Sequence, residues 1–184
     1  MSTSVATCID KSLWRLSRSD FNELVNQFRT GRYAWVVREK VKALEGLVTW
    51  LEGNHRLMQP NRSEVLVHLY VVYNASYSLP QLCFSPASWD DFPHIHEFLP
   101  RLLFTNIAEQ NSLHDSGSER PLVSYTYVDD LQTMVYTVHP CDTSGLMTCG
   151  NLDGLKGNAL RIFLQVMAPF ISLPTVFIPD DVAL

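Results

Sequence analysis

The chain has 184 residues, enough for one domain with a hydrophobic core and short for two. Apolar residues make up 46% and charged residues 18%, a balance that excludes a disordered chain. The net charge is −5 and no Lys/Arg run occurs, which argues against nucleic acid or an anionic membrane as the main partner.

The first half of the chain predicts one helix followed by strands. The helix starts at Ser19–Asp20 and ends near Gly31. Strand candidates follow at residues 33–37, 47–51 and 64–73. The last of these is apolar on both faces, which predicts a central strand. The helix has one apolar face, formed by Phe21, Leu24, Val25 and Phe28.

The middle of the chain alternates turns, a strand and polar segments. Residues 74–78 predict a turn, and residues 79–85 predict the returning strand with Pro80 at its beginning. Residues 88–104 predict a short helix interrupted by proline. Residues 105–120 are polar, and a mobile loop is expected at about 106–120.

The second half predicts a hairpin and a helix. The strand 122–127, a turn at 128–130 and a second strand leading into His139 form the hairpin. A helix over 157–171 follows. The order of elements predicts an α+β fold in one domain, 1–184, with a short flexible start at about 1–12. The stripe of the last helix consists of Leu160, Phe163, Leu164, Met167 and Ile171.

No apolar run is long enough to span a bilayer, and the termini carry neither a secretory signal nor a prenylation box. A soluble, cytoplasmic protein is expected. Cysteines at 8, 83, 141 and 149 form no Cys-x-x-Cys pair, so free thiols are predicted, at most one of them functional.

Cofactor motifs are weak. Neither G-x-x-x-x-G-K-[ST] nor G-x-G-x-x-G occurs, so the chain is not expected to use ATP or a dinucleotide itself. His94 and His96, and His139 with Cys141 and Cys149, lack the paired spacing of a closed zinc site. No metal is therefore predicted.

The stretch YTVHPCDTSG, residues 136–145, places Cys141 directly after a histidine and a proline at the end of a strand. A papain-like hydrolase is excluded for Cys141, because His139 is the last histidine in the chain. Orders with an earlier histidine, at 94, 96 or 114, stay open, but no glycine-rich oxyanion loop lies beside the cysteine. Acyl carriage needs less machinery, because a thioester is already activated and an amine attacks it. A buried, inert thiol remains the alternative.

The stretch YTVHPCDTSGLM and the upstream LYVVYNASYSLPQLCF resemble the autophagy-related protein ten family, E2-like enzymes that carry a ubiquitin-like modifier on the cysteine of His-Pro-Cys. Asp142-Thr143 and the helix LRIFLQVMAPF favour this family over its sister, autophagy-related protein three. The sister family transfers its modifier to phosphatidylethanolamine and usually carries a long acidic insertion and a membrane-sensing helix. The resemblance runs from about residue 64 to 171.

The resemblance implies a ubiquitin-conjugating-enzyme-like fold: an N-terminal helix on an antiparallel sheet, an extra hairpin before the catalytic cysteine, and a C-terminal helix. Cys141 would accept autophagy-related protein twelve from the E1-like autophagy-related protein seven and pass it to a lysine of autophagy-related protein five. No cofactor is implied, because the activating enzyme spends the ATP. Recruitment to autophagosome-forming sites is a further expectation. Transfer to phosphatidylethanolamine and a non-catalytic binding module of the same fold are the alternatives.

The resemblance also suggests roles for the neighbours of Cys141. Pro140 would end the strand and present the thiol, and His139 would orient this turn rather than transfer a proton. Ordinary ubiquitin-conjugating enzymes carry an oxyanion-supporting asparagine in His-Pro-Asn, which is absent here. Losing such a donor costs roughly 3–4 kcal/mol in enzymes that rely on it. Tyr77 is the candidate replacement.

A carboxylate at the hairpin turn is a separate candidate. Asp129 or Asp130 would act as a base for the incoming lysine rather than as an oxyanion donor.

Overall fold

The computed structural model describes residues 15–31, 33–58, 64–88, 122–140, 159–168, 173 and 175–177. Several predictions fall outside these residues: the flexible start at 1–12, the interrupted helix beyond Ser88, and the loop at 106–120. Three of the four cysteines, Cys8, Cys141 and Cys149, also lie outside them. Within the described ranges, no helix has both the length and the apolar character needed to cross a membrane.

Helix α1, Arg18–Asn26, begins with a capping box. The Ser17 side chain accepts a hydrogen bond from the Asp20 backbone N–H, and the Asp20 carboxylate accepts one from the Ser17 N–H, both at 3.1 Å. The cap is thus Ser17, and the predicted start two residues later was wrong. A 3₁₀ turn, Gln27–Thr30, leads to Gly31, whose φ of 68° ends the helical segment as predicted. The predicted apolar face is buried: Phe21, Leu24, Val25 and Phe28.

The described strands form one antiparallel sheet in the order β1-β2-β3-β4-β6-β5. Strand β3 is the third of the six, as its apolar character predicted. The hairpin near the end of the chain and the strand pair around the 74–78 turn were also predicted correctly. The strands are β1 Val36–Lys42, β2 Gly46–Met58, β3 Glu64–Asn74, β4 Leu79–Pro86, β5 Val123–Val128 and β6 Thr133–Val138.

The predicted extents of the first two strands were wrong. Strand β1 starts at Val36 because Trp35 turns into the core, where its Nε1 donates to the Phe177 carbonyl at 2.9 Å. Strand β2 continues to Met58, well past the predicted end at residue 51. Polar residues that face solvent in alternation with buried ones hide this extension from a search for apolar runs.

The two α-helices of the described residues pack on one face of the sheet. Helix α1 contacts β2 and the second helix, α2, which spans Ala159–Met167. Their buried side chains join those of the sheet in one main core. Four of the five residues of the predicted stripe are buried, and Ile171 lies outside the described residues: the four are Leu160, Phe163, Leu164 and Met167.

The β5–β6 hairpin covers part of the opposite face. Val135 packs there with Val72 and Cys83 in a second, smaller apolar cluster. The hairpin turn reaches as far as β1, because Lys42 Nζ donates to Asp130 Oδ1 at 2.8 Å. Strands β1 and β5 are opposite edges of the sheet, so the sheet must curl strongly for this contact to form.

Candidate active site

Strand β6 delivers the His-Pro-Cys segment to one end of the sheet. The His139 backbone N–H donates to the Leu122 carbonyl at 2.8 Å, which extends the β5–β6 pairing by one residue. The His139 side chain is half-buried and Pro140 is buried. Cys141 is the next residue in the chain and lies outside the described residues. The strand leading into His139 is therefore as predicted, and the prediction for the thiol itself remains open.

The β3–β4 turn brings Tyr77 against this strand end. The rings of Tyr77 and His139 meet edge to face, with centroids 5.8 Å apart and an interplanar angle of 76°. Tyr77 is 44% exposed, so the residue is only partly covered by the rest of the fold. Ser78 beside it has a φ of 56°, the left-handed conformation that closes the turn. Two of the predicted site residues are thus in contact although 62 positions separate them in sequence.

Two polar side chains that sequence reasoning missed lie between Tyr77 and the strand. Asn74 Oδ1 accepts from the Tyr77 N–H at 3.1 Å, and Asn74 Nδ2 donates to Gln81 Oε1 at 3.0 Å. Gln81 Nε2 donates to the Val138 carbonyl at 3.2 Å, one residue before His139. The available signal was a lone amide inside the otherwise apolar strand LPQLCF.

Asp129 and Asp130 line a cleft whose walls also include Asn74, Ser76 and Gln81. Both belong to the hairpin turn, and the six residues of β6 separate that turn from His139 by roughly 20 Å of extended strand. Asp129 binds Lys42, and Asp130 binds both Lys42 and Arg18. These ion pairs give both carboxylates a structural role, and the role of a base for the incoming lysine stays a prediction.

The ion pairs at the hairpin turn change the pKa values of Lys42 and Asp129. Burial alone would lower the pKa of Lys42, but its hydrogen bonds to Asp129 and Asp130 hold that pKa above the usual value. The same hydrogen bond from Lys42 lowers the pKa of Asp129. Carboxylate oxygens of Glu45, Asp129 and Asp130 lie within 4.8 Å of one another, a spacing that a metal ion could use. Here two cations, Arg18 and Lys42, form ion pairs with these three carboxylates.

Cys83 is a buried thiol. It lies in β4 with no exposed surface, and burial raises the pKa of the thiol, with the charge of Asp130 as a smaller cause. A thiol that is buried and protonated cannot attack a thioester on another protein. Cys83 thus matches the prediction that most of the cysteines are inert.

Comparison with known proteins identifies the family. The model of the family described as "Autophagocytosis associated protein, active-site domain" matches residues 24–176, a wider region than residues 64–171. A search of curated proteins finds no significant match. Among solved structures, the chain is similar to one described as "Solution structures of KmAtg10", with 18% identity over 90% of this chain and 100% of that chain, and a TM-score of 0.42.

The family match covers most of the chain and includes both the Tyr77 turn and the His-Pro-Cys segment. The resemblance seen in the sequence is therefore confirmed at the level of the family, as is the α+β fold with its antiparallel sheet. This chain belongs to the family of autophagocytosis-associated active-site domains, which are E2-like conjugating enzymes that transfer ubiquitin-like proteins.

Proposed function

We propose that this chain carries autophagy-related protein twelve as a thioester on Cys141 and transfers it to a lysine of autophagy-related protein five. One observation carries the proposal: the contact between Tyr77 and His139, two residues before Cys141, within the active-site domain of the family. This contact packs the β3–β4 turn against the end of β6, two residues before the proposed nucleophile. The activating enzyme in the proposal is autophagy-related protein seven.

The chemistry proceeds in two acyl transfers. In the first, the Cys141 thiolate attacks the carbonyl carbon of the modifier's thioester on the activating enzyme, and that enzyme's cysteine leaves as a thiolate. In the second, a neutral lysine amine attacks the same carbonyl carbon. The new C–N bond forms, the C–S bond to Cys141 breaks, and the proton released by the amine passes to solvent or to a base.

Tyr77 and His139 serve different purposes in this proposal. His139 is held between its own strand and the Tyr77 ring, which fits a role in orienting the turn that carries Cys141. Tyr77 is a partly exposed residue, and its hydroxyl would donate to the charge that develops on the carbonyl oxygen. This hydroxyl would take the place of the missing asparagine of His-Pro-Asn.

The target would dock on the outer edge of β5. Because the His139 N–H bonds to the Leu122 carbonyl, alternate residues of β5 bond to β6, and Tyr125 and Tyr127 turn their backbone groups outward. Leu122, Tyr125 and Tyr127 are also exposed apolar side chains on this strand. An exposed edge with apolar side chains suits pairing with a strand of a protein partner. Strand β5 leads through the hairpin to the proposed active site.

The proposal is tested by charging first. The protein is mixed with the modifier, its activating enzyme and ATP, and a reductant-sensitive adduct is expected with the wild-type chain. Absence of any adduct would leave the chain as a non-catalytic binding module of the same fold. An adduct that resists both reductant and Cys141 substitution would place the attachment elsewhere.

The acceptor is tested next. The charged enzyme is added separately to the folded target protein and to vesicles containing phosphatidylethanolamine. We expect transfer to a lysine of the protein, because docking on the enzyme positions the amine beside the thioester, an effect worth roughly 7–11 kcal/mol of barrier when the geometry is good. Product that appears only with vesicles would assign the chain to the lipid-modifying reaction instead.

A further inference from the structure

The side-chain amides of Asn74 and Gln81, here called the amide bridge, connect the β3–β4 turn to the end of β6. Three hydrogen bonds run in one direction: from the Tyr77 N–H to Asn74, from Asn74 to Gln81, and from Gln81 to the Val138 carbonyl. The Tyr77 N–H can only donate and the Val138 carbonyl can only accept. Each amide therefore has a single orientation that satisfies all three hydrogen bonds.

The bridge lies where a polar group is costly. Gln81 is 7% exposed, and every residue of β4 around it is buried. Asn74 is half-buried. A buried amide such as that of Gln81 destabilises the fold unless its hydrogen bonds are made. Both ends of the Gln81 amide make a hydrogen bond: Oε1 accepts from Asn74, and Nε2 donates to the Val138 carbonyl of β6. Gln81 therefore connects the β3–β4 turn to the end of β6 through both ends of its amide.

The bridge replaces the backbone ladder where β6 leaves the sheet. Strands β4 and β6 pair at two positions, Cys83 with Thr137 and Phe84 with Tyr136. The same register would place Gln81 opposite His139, beyond the last of those pairs. There the Val138 carbonyl bonds to the Gln81 side chain. The segment that enters His-Pro-Cys is thus held by a side chain.

The bridge also closes a ring of contacts. From Val138 the chain continues to His139, whose ring meets the Tyr77 ring, and the Tyr77 backbone returns through Asn74 and Gln81 to Val138. The turn and the strand end are therefore fixed to each other at two places. A change in either amide should alter where Tyr77 stands relative to the residue that follows Pro140.

We infer that Asn74 and Gln81 are positioning residues for the transfer step: they set the distance between Tyr77 and the thioester on Cys141. This inference rests on the proposed function. The amides contact the Tyr77 backbone and the end of β6, so charging, which needs mainly an accessible thiolate, should depend on them less than aminolysis does. Aminolysis depends on geometry, and a displacement of about 1 Å can cost about a hundredfold in rate.

The test compares Asn74→Ala and Gln81→Met with Asn54→Ala. Asn54 is an exposed amide on β2 that contacts His68 and is remote in the sheet from β6, so its loss is a matched control. Single-turnover discharge is measured against target concentration, with charging and thermal stability measured in parallel. We expect the two bridge variants to lower the maximal discharge rate on the order of tenfold or more. Charging and the target concentration at half-maximal rate should change about twofold at most.

Coupling to Tyr77 separates positioning from general destabilisation. The effect of Asn74→Ala on discharge should largely vanish in a Tyr77→Ala background, because the bridge acts through that side chain. Three outcomes would each overturn the inference. The discharge losses of Asn74→Ala and Tyr77→Ala could be additive. Both bridge variants could discharge at the wild-type rate, or Asn54→Ala could lose as much discharge rate as they do.

A structural measurement distinguishes failure of this inference from failure of the proposed function. The NMR signals of the His139 ring sense the neighbouring Tyr77 ring in the uncharged protein. They should move in Asn74→Ala and stay in place in Asn54→Ala. If the wild-type chain forms no thioester, the proposed function fails whatever these signals do. If the wild-type chain forms the thioester and transfers the modifier, but the His139 signals of Asn74→Ala match those of the wild type, only the inference fails.

Discussion

Arg18 and Asp130, 112 residues apart in the chain, form a two-point ion pair. Arg18 Nη1 lies 2.5 Å from Asp130 Oδ2, and Arg18 Nη2 lies 3.3 Å from Oδ1. The contact joins the first helix to the turn of the hairpin that leads to His139. Asp130 is 5% exposed, and Lys42 binds it from β1. Asp130 therefore connects the hairpin turn to the first helix through Arg18 and to β1 through Lys42.

Asp130→Asn should destabilise the fold. The substitution leaves Arg18 and the largely buried Lys42 with less negative charge, and breaking a buried pair costs about 3–5 kcal/mol. We expect a loss near 3 kcal/mol, the low end of this range, because Glu45 and Asp129 still neutralise Lys42. Urea unfolding measures the change in free energy.

The control for this prediction is Glu64→Gln, which removes an exposed ion pair with Arg56. Such pairs contribute about 1 kcal/mol or less. Equal losses for the two substitutions would mean that the Arg18–Asp130 pair does not anchor the hairpin.

Tyr77→Phe should slow discharge to lysine more than it slows charging. Phenylalanine keeps the ring contact with His139 and removes only the hydroxyl, the proposed donor to the oxyanion. We expect a loss of about tenfold in single-turnover discharge, smaller than the hundredfold or more seen for a dedicated donor. Identical discharge rates for the two proteins would leave Tyr77 as a packing residue.

Of the four cysteines, only Cys141 should carry the modifier. Cys141→Ser should give a reductant-resistant oxyester or no adduct, because an oxygen ester is less reactive towards amines. Cys8→Ser, Cys83→Ser and Cys149→Ser should each still charge. Cys83→Ser should also lower the unfolding free energy by about 1–3 kcal/mol, because it buries a hydroxyl in an apolar strand. Conjugation by Cys141→Ser at the wild-type rate would show that Cys141 is not the carrier.

Substitution of Tyr127 should weaken target binding without affecting charging. Tyr127 is 54% exposed on β5, where its backbone groups also face outward. Tyr127→Ala removes apolar contact area, and Tyr127→Pro removes in addition an N–H available to a partner strand. The control is Val36→Ala, a half-exposed apolar residue on the opposite edge strand, β1. If Val36→Ala weakens target binding as much as Tyr127→Ala does, β5 is not the docking edge.

Stability should fall in mildly acidic solution because of His55. Its imidazole is buried on β2, its Nε2 has no hydrogen-bond partner in the described ranges, and burial lowers its pKa. Below about pH 6.5 the unfolded chain takes up a proton that the folded chain resists, so the unfolding free energy decreases as the pH falls. His55→Phe should reduce this pH dependence between about pH 7.5 and 5.5 in urea unfolding, relative to wild type.

His68→Gln on the neighbouring strand is the control for this titration, and it should retain the pH dependence that His55 causes. An unchanged slope in His55→Phe would assign the acid sensitivity to other groups.

Local patterns in the sequence determined much of this molecule. The apolar period of α1, the alternation and turn residues of the β3–β4 and β5–β6 pairs, and the stripe of α2 predicted these elements because each pattern concerns neighbours along one chain segment. The motif around His139 and Pro140 indicated the family only together with the upstream strand pair and the C-terminal helix, each of which is a continuous stretch of sequence. The extents of β1 and β2 were harder to predict, because polar residues at the edge of a sheet do not indicate which strand they pair with.

Contacts between distant segments were decided only by the tertiary structure. The curl of the sheet brings the hairpin turn to β1 and so pairs Asp129 and Asp130 with Lys42. Sequence analysis did not predict these ion pairs. The meeting of Tyr77 with His139 depends on strand register, as does the selection of Gln81 to bind the end of β6. Register follows from the summed packing of a whole sheet, which no single stretch of sequence contains.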